Sequence, residues 1–545
     1  MQPASPELPE LTTLRYRVSR RARRLFLAHP RWTPPLRRLL LALAEYAEQA
    51  EGLQVFGRRD AEENVQYAVP EGETPMLAAV WTVELYTPSS IAGLLDALER
   101  HTWLRNRGAS STDPGRWVQD HRSRPGAGGW MTLGRVVPPG SSGVLLDATV
   151  GKVPEGFASV HLTIVAISST LTAIVGCFMP TDELAQSLDV ALRRQQQTTM
   201  PPNPSGGWFI HNVAQHKRAA AHAIRMGARQ AAIDWMRRYV PGVFARGMLN
   251  GDMSTLDLIL TDTVEPLRDS PPAGRSDRAW LDLLDLDRSF DAWTCRDIPG
   301  LKAALPSQSP DGSEHRLTLA AQRSQLFSDK ELDNPEQRDR RELVWRLDAY
   351  YLAPLAARWA INGLLSGVER RLARIRDLAE RSSHRGSIRM LDELRRELLA
   401  VGLDGSVVAA DIVALTNTAA SYDHDVLEFV QAWTPTPTGG TTPAPPATIP
   451  TALREYQQAR AQQILDSERQ LRDVLGATGN LAGAVTNLRL QRRVAVLTAV
   501  STVAAIVALI VAVLALNLSQ PDRPTGTTLP APNSISTSPP ARSSP

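Results

Sequence analysis

Residues 494–518 read Val-Ala-Val-Leu-Thr-Ala-Val-Ser-Thr-Val-Ala-Ala-Ile-Val-Ala-Leu-Ile-Val-Ala-Val-Leu-Ala-Leu-Asn-Leu, 25 positions without a charge. As an α-helix the stretch is about 37 Å long, more than the roughly 30 Å of a bilayer's hydrocarbon core. Thr498, Ser501 and Thr502 do not spoil it, because a helical hydroxyl returns its hydrogen bond to a carbonyl one turn back. The stretch predicts one transmembrane helix; the alternative is a buried core helix.

The flanks set an orientation. Arg489, Arg492 and Arg493 stand just before the span, whereas the 27 residues after it carry Arg523 and Arg542 with Asp522. The positive-inside rule then keeps residues 1–493 in the cytoplasm and sends 519–545 outward. That tail holds seven prolines and ten serines or threonines, so it reads as disordered. No secretory signal competes with this topology. The chain opens Met-Gln-Pro-Ala-Ser-Pro-Glu-Leu-Pro-Glu, and the arginines that follow precede only the short apolar run Leu25–Ala28. The expected location is the cell membrane, single-pass, with a cytoplasmic body.

Residues 451–493 read as a stalk helix entering the span. Ile464, Leu471, Thr478 and Val485 step by seven, with Val474, Leu481 and Leu488 three further on, an imperfect coiled-coil seam. Gly476, Gly479 and Gly483 each weaken a helix by about 1 kcal/mol relative to alanine, or let two helices approach closely. The seam points to a homo-oligomer through the stalk; the alternative is a single helix packed on its own body. Ahead of it, 434–450 is a Pro/Thr-rich linker. Residues 338–433 read as a helical domain: Leu343, Leu347, Tyr350, Leu355, Leu364, Val368 and Leu372 fall at helical spacings interrupted by Pro354, and further helices are expected over 388–400 and 407–433.

Residues 77–200 read as an α/β domain. Ala78–Tyr86 is a strand, and Thr87-Pro-Ser-Ser opens a helix over 91–101. Ser159–Ile167 and Leu171–Phe178 form a hairpin of buried strands, and Thr181 or Asp182 caps a helix through Arg194. Residues 201–337 alternate helical patches with loops, either a second α/β portion or an elaboration of the first. Residues 1–76 form a basic helical segment, with nine arginines and no acid between Leu11 and Ala44. Leu11, Leu14, Val18, Ala22 and Leu25 recur at helical spacing, which puts the arginines on the polar face. Anionic lipid would attract such a patch by about 1 kcal/mol per arginine near the surface; a solvated helix or acidic partners elsewhere explain it equally. The expected fold class is an α+β cytoplasmic body with a mainly helical second half, a long stalk helix and one C-terminal transmembrane helix.

Composition excludes several classes. Over 545 residues, 43 % are hydrophobic and 21 % charged, which rules out wholesale disorder. A mean hydropathy of -0.21 rules out a polytopic membrane protein. The net charge of +3 supplies no global basic field, and no groove-reading motif is present, so no nucleic acid is expected. Two cysteines, Cys177 and Cys295, exclude a disulfide framework and a cysteine-built zinc site.

The search for chemistry finds no constellation. His211, His216 and His222 are read on one helix, His211 and His222 about 16 Å apart and unable to share an ion. Asp282, Asp285, Asp287 and Asp291 lack the glycine and distal glutamate of a calcium loop and read as the wet face of an amphipathic segment. Asp423-His-Asp425 has metal-binding groups, yet a helix cap explains it equally. Pro125–Trp130 is glycine-rich without a phosphate-binding pattern, and Ser141-Ser-Gly143 misses the nucleophile-elbow spacing. No catalytic, cofactor-binding or metal residue is assigned, and no cofactor is expected.

At the junction of stalk and span, Asn487-Leu-Arg-Leu-Gln-Arg-Arg-Val-Ala-Val-Leu-Thr-Ala-Val-Ser-Thr502 resembles the corresponding segment of CorA-type magnesium transporters. The resemblance covers some 70 residues and implies a pentamer-like stalk assembly. The chain departs from that family after the span, where Leu514-Ala-Leu-Asn517 stands in place of Gly-Met-Asn and no second span follows. The resemblance therefore implies a degenerate, non-conducting relative. Function is expected to be that of a non-enzymatic sensor, scaffold or regulatory module; the alternatives are divergent divalent-cation transport and a tethered enzyme whose site is assembled from distant residues.

Overall fold

The computed structural model describes residues 11–518 except 30–32, 102–112, 125–127, 142–147, 202–207, 248–251, 268–277, 288–291, 305–314, 327–339, 386–392, 395, 400–401, 419–421, 424–425 and 432–447. The linker, apart from its last residues, and the tail lie outside the described residues, as does much of the helix expected over 388–400. Internal contacts divide the chain into one unit up to Asp473 and a second from Val474.

The first unit is built around β1 (Met76–Tyr86), whose eleven residues are all buried. A near-continuous apolar run of this kind belongs to a strand covered on both faces. Its neighbours, both antiparallel, are β5 (Thr172–Pro180) and β6 (Ser254–Thr261). The other strands are β2 (Gly129–Val137), β3 (Ala148–Val150), β4 (Phe157–Ala166), β7 (Ala292–Cys295), β8 (Leu301–Ala304), β9 (Arg316–Gln322) and β10 (Phe429–Gln431). Together they make one mixed sheet in the order β10-β7-β8-β9-β6-β1-β5-β4-β2-β3, parallel at β6/β9 and β2/β3. Each half of the chain sets its strands down alike. A first strand is followed by a meander whose last strand returns beside it, giving β1-β5-β4-β2 and β6-β9-β8-β7. The boundary expected at residue 200 thus falls between strands of one sheet, because β6 takes the edge of β1 that β5 leaves open. The region expected to be purely helical, 338–433, contributes the edge strand β10.

The helices are α1 (Leu14–Ala28), α2 (Pro34–Phe56), α3 (Asp60–Gln66), α4 (Ile91–Arg100), α5 (Pro114–Arg122), α6 (Asp182–Arg193), α7 (Val213–Tyr239), α8 (Ala279–Asp282), α9 (Arg323–Leu326), α10 (Arg340–Leu347), α11 (Ala353–Arg385), α12 (Val407–Thr416) and α13 (Ile449–Leu518). Thr181 caps α6 by accepting the Leu184 amide. Asn212 and Gln215 close a reciprocal capping box on α7. The Thr87–Ser90 run behaves otherwise than expected. Ser90 Oγ accepts the Thr87 amide at 2.8 Å, so the hydroxyl holds the turn and gives α4 no side-chain cap; the Ile91 amide bonds the Thr87 carbonyl instead.

Between α10 and α11 the helix widens into a π turn, Asp348–Leu352. Pro354 lies just beyond it. Proline has no amide to donate, and its ring pushes away the carbonyl one turn earlier. The helix expected over 407–433 ends at Thr416. Beyond it Leu427 and Phe429 are buried while residues 426, 428 and 430 are half-buried, a period of two that makes a strand.

The first part of α13 is locked to the body. Gln457 accepts from Tyr422 Oη at 2.7 Å and donates to the Arg358 carbonyl and to Asn362 Oδ1, both at 2.9 Å. Arg460 pairs with Glu369, and Ile449, Leu453, Ala461, Ile464 and Leu471 are buried. Ile464 and Leu471, the first two positions of the expected oligomer seam, are therefore used inside the first unit.

The N-terminal helices pair as a hairpin, with a face other than the expected one. Tyr16, Ser19 and Ala22 are buried; Leu14, Val18 and Leu25 are exposed. Small residues allow close approach: Ser19 Oγ accepts the Ala47 amide at 2.7 Å beside Ala44, Ala47 and Ala50. Tyr16 Oη and Arg23 both bond Glu51. These hydrogen bonds fix the rotation of α1, and most of its leucines remain outside the seam.

Candidate functional site

In the second unit, Leu490–Ala512 has a mean hydropathy of 2.7 and buries none of its surface. Val494, Leu497, Val500, Val503, Ile506, Leu509 and Ile510 all face outward. Thr498 Oγ1 donates to the Val494 carbonyl and Thr502 Oγ1 to the Thr498 carbonyl, each at 2.8 Å, so these hydroxyls are satisfied within the helix. Arg492 and Arg493 are exposed at the head of the stretch; the side chain of Arg489 lies outside the described residues. A helix that is apolar all round needs cover on every side.

A second apolar stretch, Arg396–Thr416, which ends in α12, is 47 % buried in the body. Two of its carboxylates hold it to loops at one end of the sheet. Asp404 accepts from Ser89, and Asp411 Oδ2 accepts from Ser169 Oγ, the Thr170 amide and Thr170 Oγ1 at 2.7–3.0 Å. The body thus covers nearly half of this apolar stretch.

The sheet interior carries the chemistry of the body. Successive residues of a strand face opposite ways, so β1 delivers Trp81 to one side and Glu84 to the other. On Trp81's side, Arg135, His161, Cys177 and Trp81 lie opposite one another across β2, β4, β5 and β1. Asp348, in the π turn, accepts from Trp81 Nε1 at 2.8 Å and lies 3.4 Å from His161 Nδ1. Neither ring nitrogen of His161 has a hydrogen-bond partner. Burial pushes the Cys177 thiol well above its ordinary range, so the cysteine–histidine–aspartate row holds an inert, inaccessible thiol.

On the opposite side, Asp257 of β6 meets two arginines of α7. Arg225 forks onto it at 2.7 and 3.1 Å and also donates to Thr318 Oγ1 and the Leu284 carbonyl; Arg229 approaches at 2.8 Å. All three are buried. The arginines overcome burial and hold the Asp257 carboxyl well below the usual range, while burial brings Arg229 down to about 10. Nearby, Glu84 Oε1 accepts the Phe244 amide at 2.8 Å and Oε2 the Ala245 amide at 3.0 Å. The carboxylate thereby clamps the turn after α7, where a Cβ on Gly242 would lie 2.4 Å from the Leu85 carbonyl oxygen.

Burial pushes Glu84 up to about 7, the backbone amides opposing it. A raised carboxyl binds its proton more tightly when folded. Its contribution is full below its unfolded value near 4.5 and is lost as pH rises through about 7. The expected loss is about 3 kcal/mol. Urea unfolding at pH 5 and pH 8 should show this slope in the parent and a flattened one in Glu84→Gln.

No protein-family model, curated protein or solved structure matches this chain.

Of the histidines singled out from sequence, His216 and His222 stand on α7 as expected and His211 does not. His211 precedes α7, bridged to Thr199, and its ring lies 5.7 Å from that of His216. His216 Nε2 bonds Thr199 Oγ1 at 2.8 Å, and burial lowers its pKa. Among the described residues no group of three or more His, Cys, Asp or Glu is placed to hold a metal. The 282–287 acids stand on the wet face as expected, with the leucines between them buried: Asp285 is exposed, and half-buried Asp282 and Asp287 pair with Arg218 and Arg278. Asp291, His424 and Asp425 lie outside the described residues, as do Pro125–Ala127 and Ser142-Gly143. The buried groups Glu84, Asp257, His161 and Asp348 were missed. A single acid inside an apolar strand, as in Val83-Glu-Leu85 or Leu256-Asp-Leu258, was the available signal.

Proposed function

We propose that this chain is a single-pass membrane protein, spanning the bilayer through 494–518 and holding residues 1–493 in the cytoplasm as a sensor, scaffold or regulatory module without catalytic activity. The observation that carries the reading is the wholly uncovered apolar stretch Leu490–Ala512, set against a second apolar stretch of which the body covers nearly half. Hydrocarbon satisfies such a surface, and Arg492 and Arg493 suit the cytoplasmic headgroup region, with Arg489 a few residues before them. The bonds of Gln457, Arg460 and Tyr422 give the stalk a fixed seat in the body. Three groups whose protons are strongly perturbed, Glu84, Asp257 and Cys177, lie in the sheet interior and serve packing. Self-association, with the bilayer as the other partner, falls to Val474, Thr478, Leu481, Val485 and Leu488, since Ile464 and Leu471 are used in the body.

A second reading, divergent CorA-like transport of a divalent cation, is favoured by the segment Asn487–Thr502. Reconstitution of the full chain into vesicles separates the two. Retention on floated vesicles after an alkaline carbonate wash, with Mg²⁺ flux equal to that of protein-free vesicles, is expected. Release by carbonate contradicts the anchor, and flux above the control establishes transport.

A further inference from the structure

The hairpin of α1 and α2 turns its leucines outward. Leu27 is 68 % exposed, Leu39 57 % and Leu14 74 %, joined by Leu25, Leu36, Leu41 and Leu43. Exposed apolar residues scattered singly need no explanation, but six of these seven fall within residues 25–43. The chain between Leu11 and Ala44 carries nine arginines, three of them within 25–43, and the first acid after them is Glu45. Among the described residues only Arg23 of these nine forms an ion pair, with Glu51. Arg15, Arg17, Arg20, Arg21, Arg24 and Arg38 are exposed. Polar bonds from Tyr16, Ser19 and Arg23 hold this rotation, so the leucines are directed away from the α1–α2 seam.

We infer that the distal half of this hairpin, residues 20–29 at the end of α1 and 33–43 at the start of α2, docks on an anionic lipid surface, with leucines entering the headgroup–acyl boundary and arginines meeting lipid phosphates and carboxylates. The occupant is chosen by charge. An acid-free basic surface interleaved with leucines complements a negative leaflet, which offers both phases at once, and the basic surface repels a second copy of itself. This rests on the single-pass anchor proposed above, which places the hairpin on the cytoplasmic side at tethered concentration. The chain would then hold the bilayer at two places.

The test uses the full chain in vesicles of neutral lipid alone or with added phosphatidylserine. An environment-sensitive fluorophore is attached at Leu39→Cys; Cys177 and Cys295 are buried and stay unlabelled. Lipid-borne nitroxides should quench the probe roughly threefold more in the anionic vesicles, and the difference should vanish in Arg20→Glu/Arg21→Glu/Arg24→Glu and shrink in high salt. All four substituted positions are exposed, so the fold is retained. Equal, weak quenching in both vesicles, in a chain that stays on them through a carbonate wash, overturns the docking and leaves the anchor standing. A blue shift without nitroxide quenching reports a protein partner and also overturns it. A chain stripped by carbonate overturns anchor and docking together.

Discussion

Arginine at both Ile506 and Leu509 is expected to release the chain from membranes. Each guanidinium near the bilayer midplane costs about 2.5–3.5 kcal/mol on the insertion scale, and each aliphatic residue replaced contributed about 0.3–0.6 in the other direction. Together the change is about 6–8 kcal/mol, a loss of at least ~10⁴ in the insertion equilibrium. The carbonate-resistant fraction should fall from nearly all to nearly none. The body should unfold at an unchanged temperature, because both side chains are exposed. Arginine at Leu490, beside the existing basic cluster, should have little effect, since a long cationic side chain at the end of a span reaches the interface. A double variant that stays in the membrane pellet after carbonate would point to attachment by another surface.

The second large effect lies in the body. Asp257→Ala leaves Arg225 and Arg229 buried without their shared carboxylate, and breaking such a group from one side costs about 3–5 kcal/mol. Asp257→Asn should cost nearly as much, because shape is kept and charge is lost. Replacing all three by apolar residues of similar volume should recover most of the stability. Urea unfolding of the parent and these three variants checks this ordering. The pH sense is opposite to that of Glu84. Asp257 has a lowered pKa, so its contribution is present above the ordinary carboxylate range and is lost as pH falls below it. The two acids, on neighbouring strands, bracket the stability of the body from the acid and the alkaline side.

Sequence periodicity revealed the elements whose burial is one-sided or complete. The buried strand at 76–86, the hairpin of 157–166 and 172–180 and the Thr181 cap each follow from residues close in the chain, as does the uncovered apolar helix at 490–512. What it concealed depends on partners far away. β7 and β8 have four residues each, too short for any period, and they become strands only by pairing. The joining of 76–180 and 254–322 into one sheet rests on the β1–β6 pairing, nearly 180 positions apart, which no local pattern specifies. Hydrophobicity does not choose the face that α1 buries. Ser19 and Tyr16 choose it through hydrogen bonds to α2, leaving Leu14 and Val18 exposed. Asp348 and His161 are 187 positions apart, so their meeting could not be seen in the chain.

The anchor and its orientation can be tested in one measurement on intact cells. The buried Cys177 and Cys295 leave the parent chain silent to a membrane-impermeant maleimide, so single cysteines report their own side. Ser534→Cys lies beyond the span, and Gln186→Cys is on the exposed surface of α6. The account predicts that Ser534→Cys is labelled on intact cells and that Gln186→Cys is labelled only after permeabilisation. Labelling of Ser534→Cys only after permeabilisation, or of Gln186→Cys on intact cells, would contradict it.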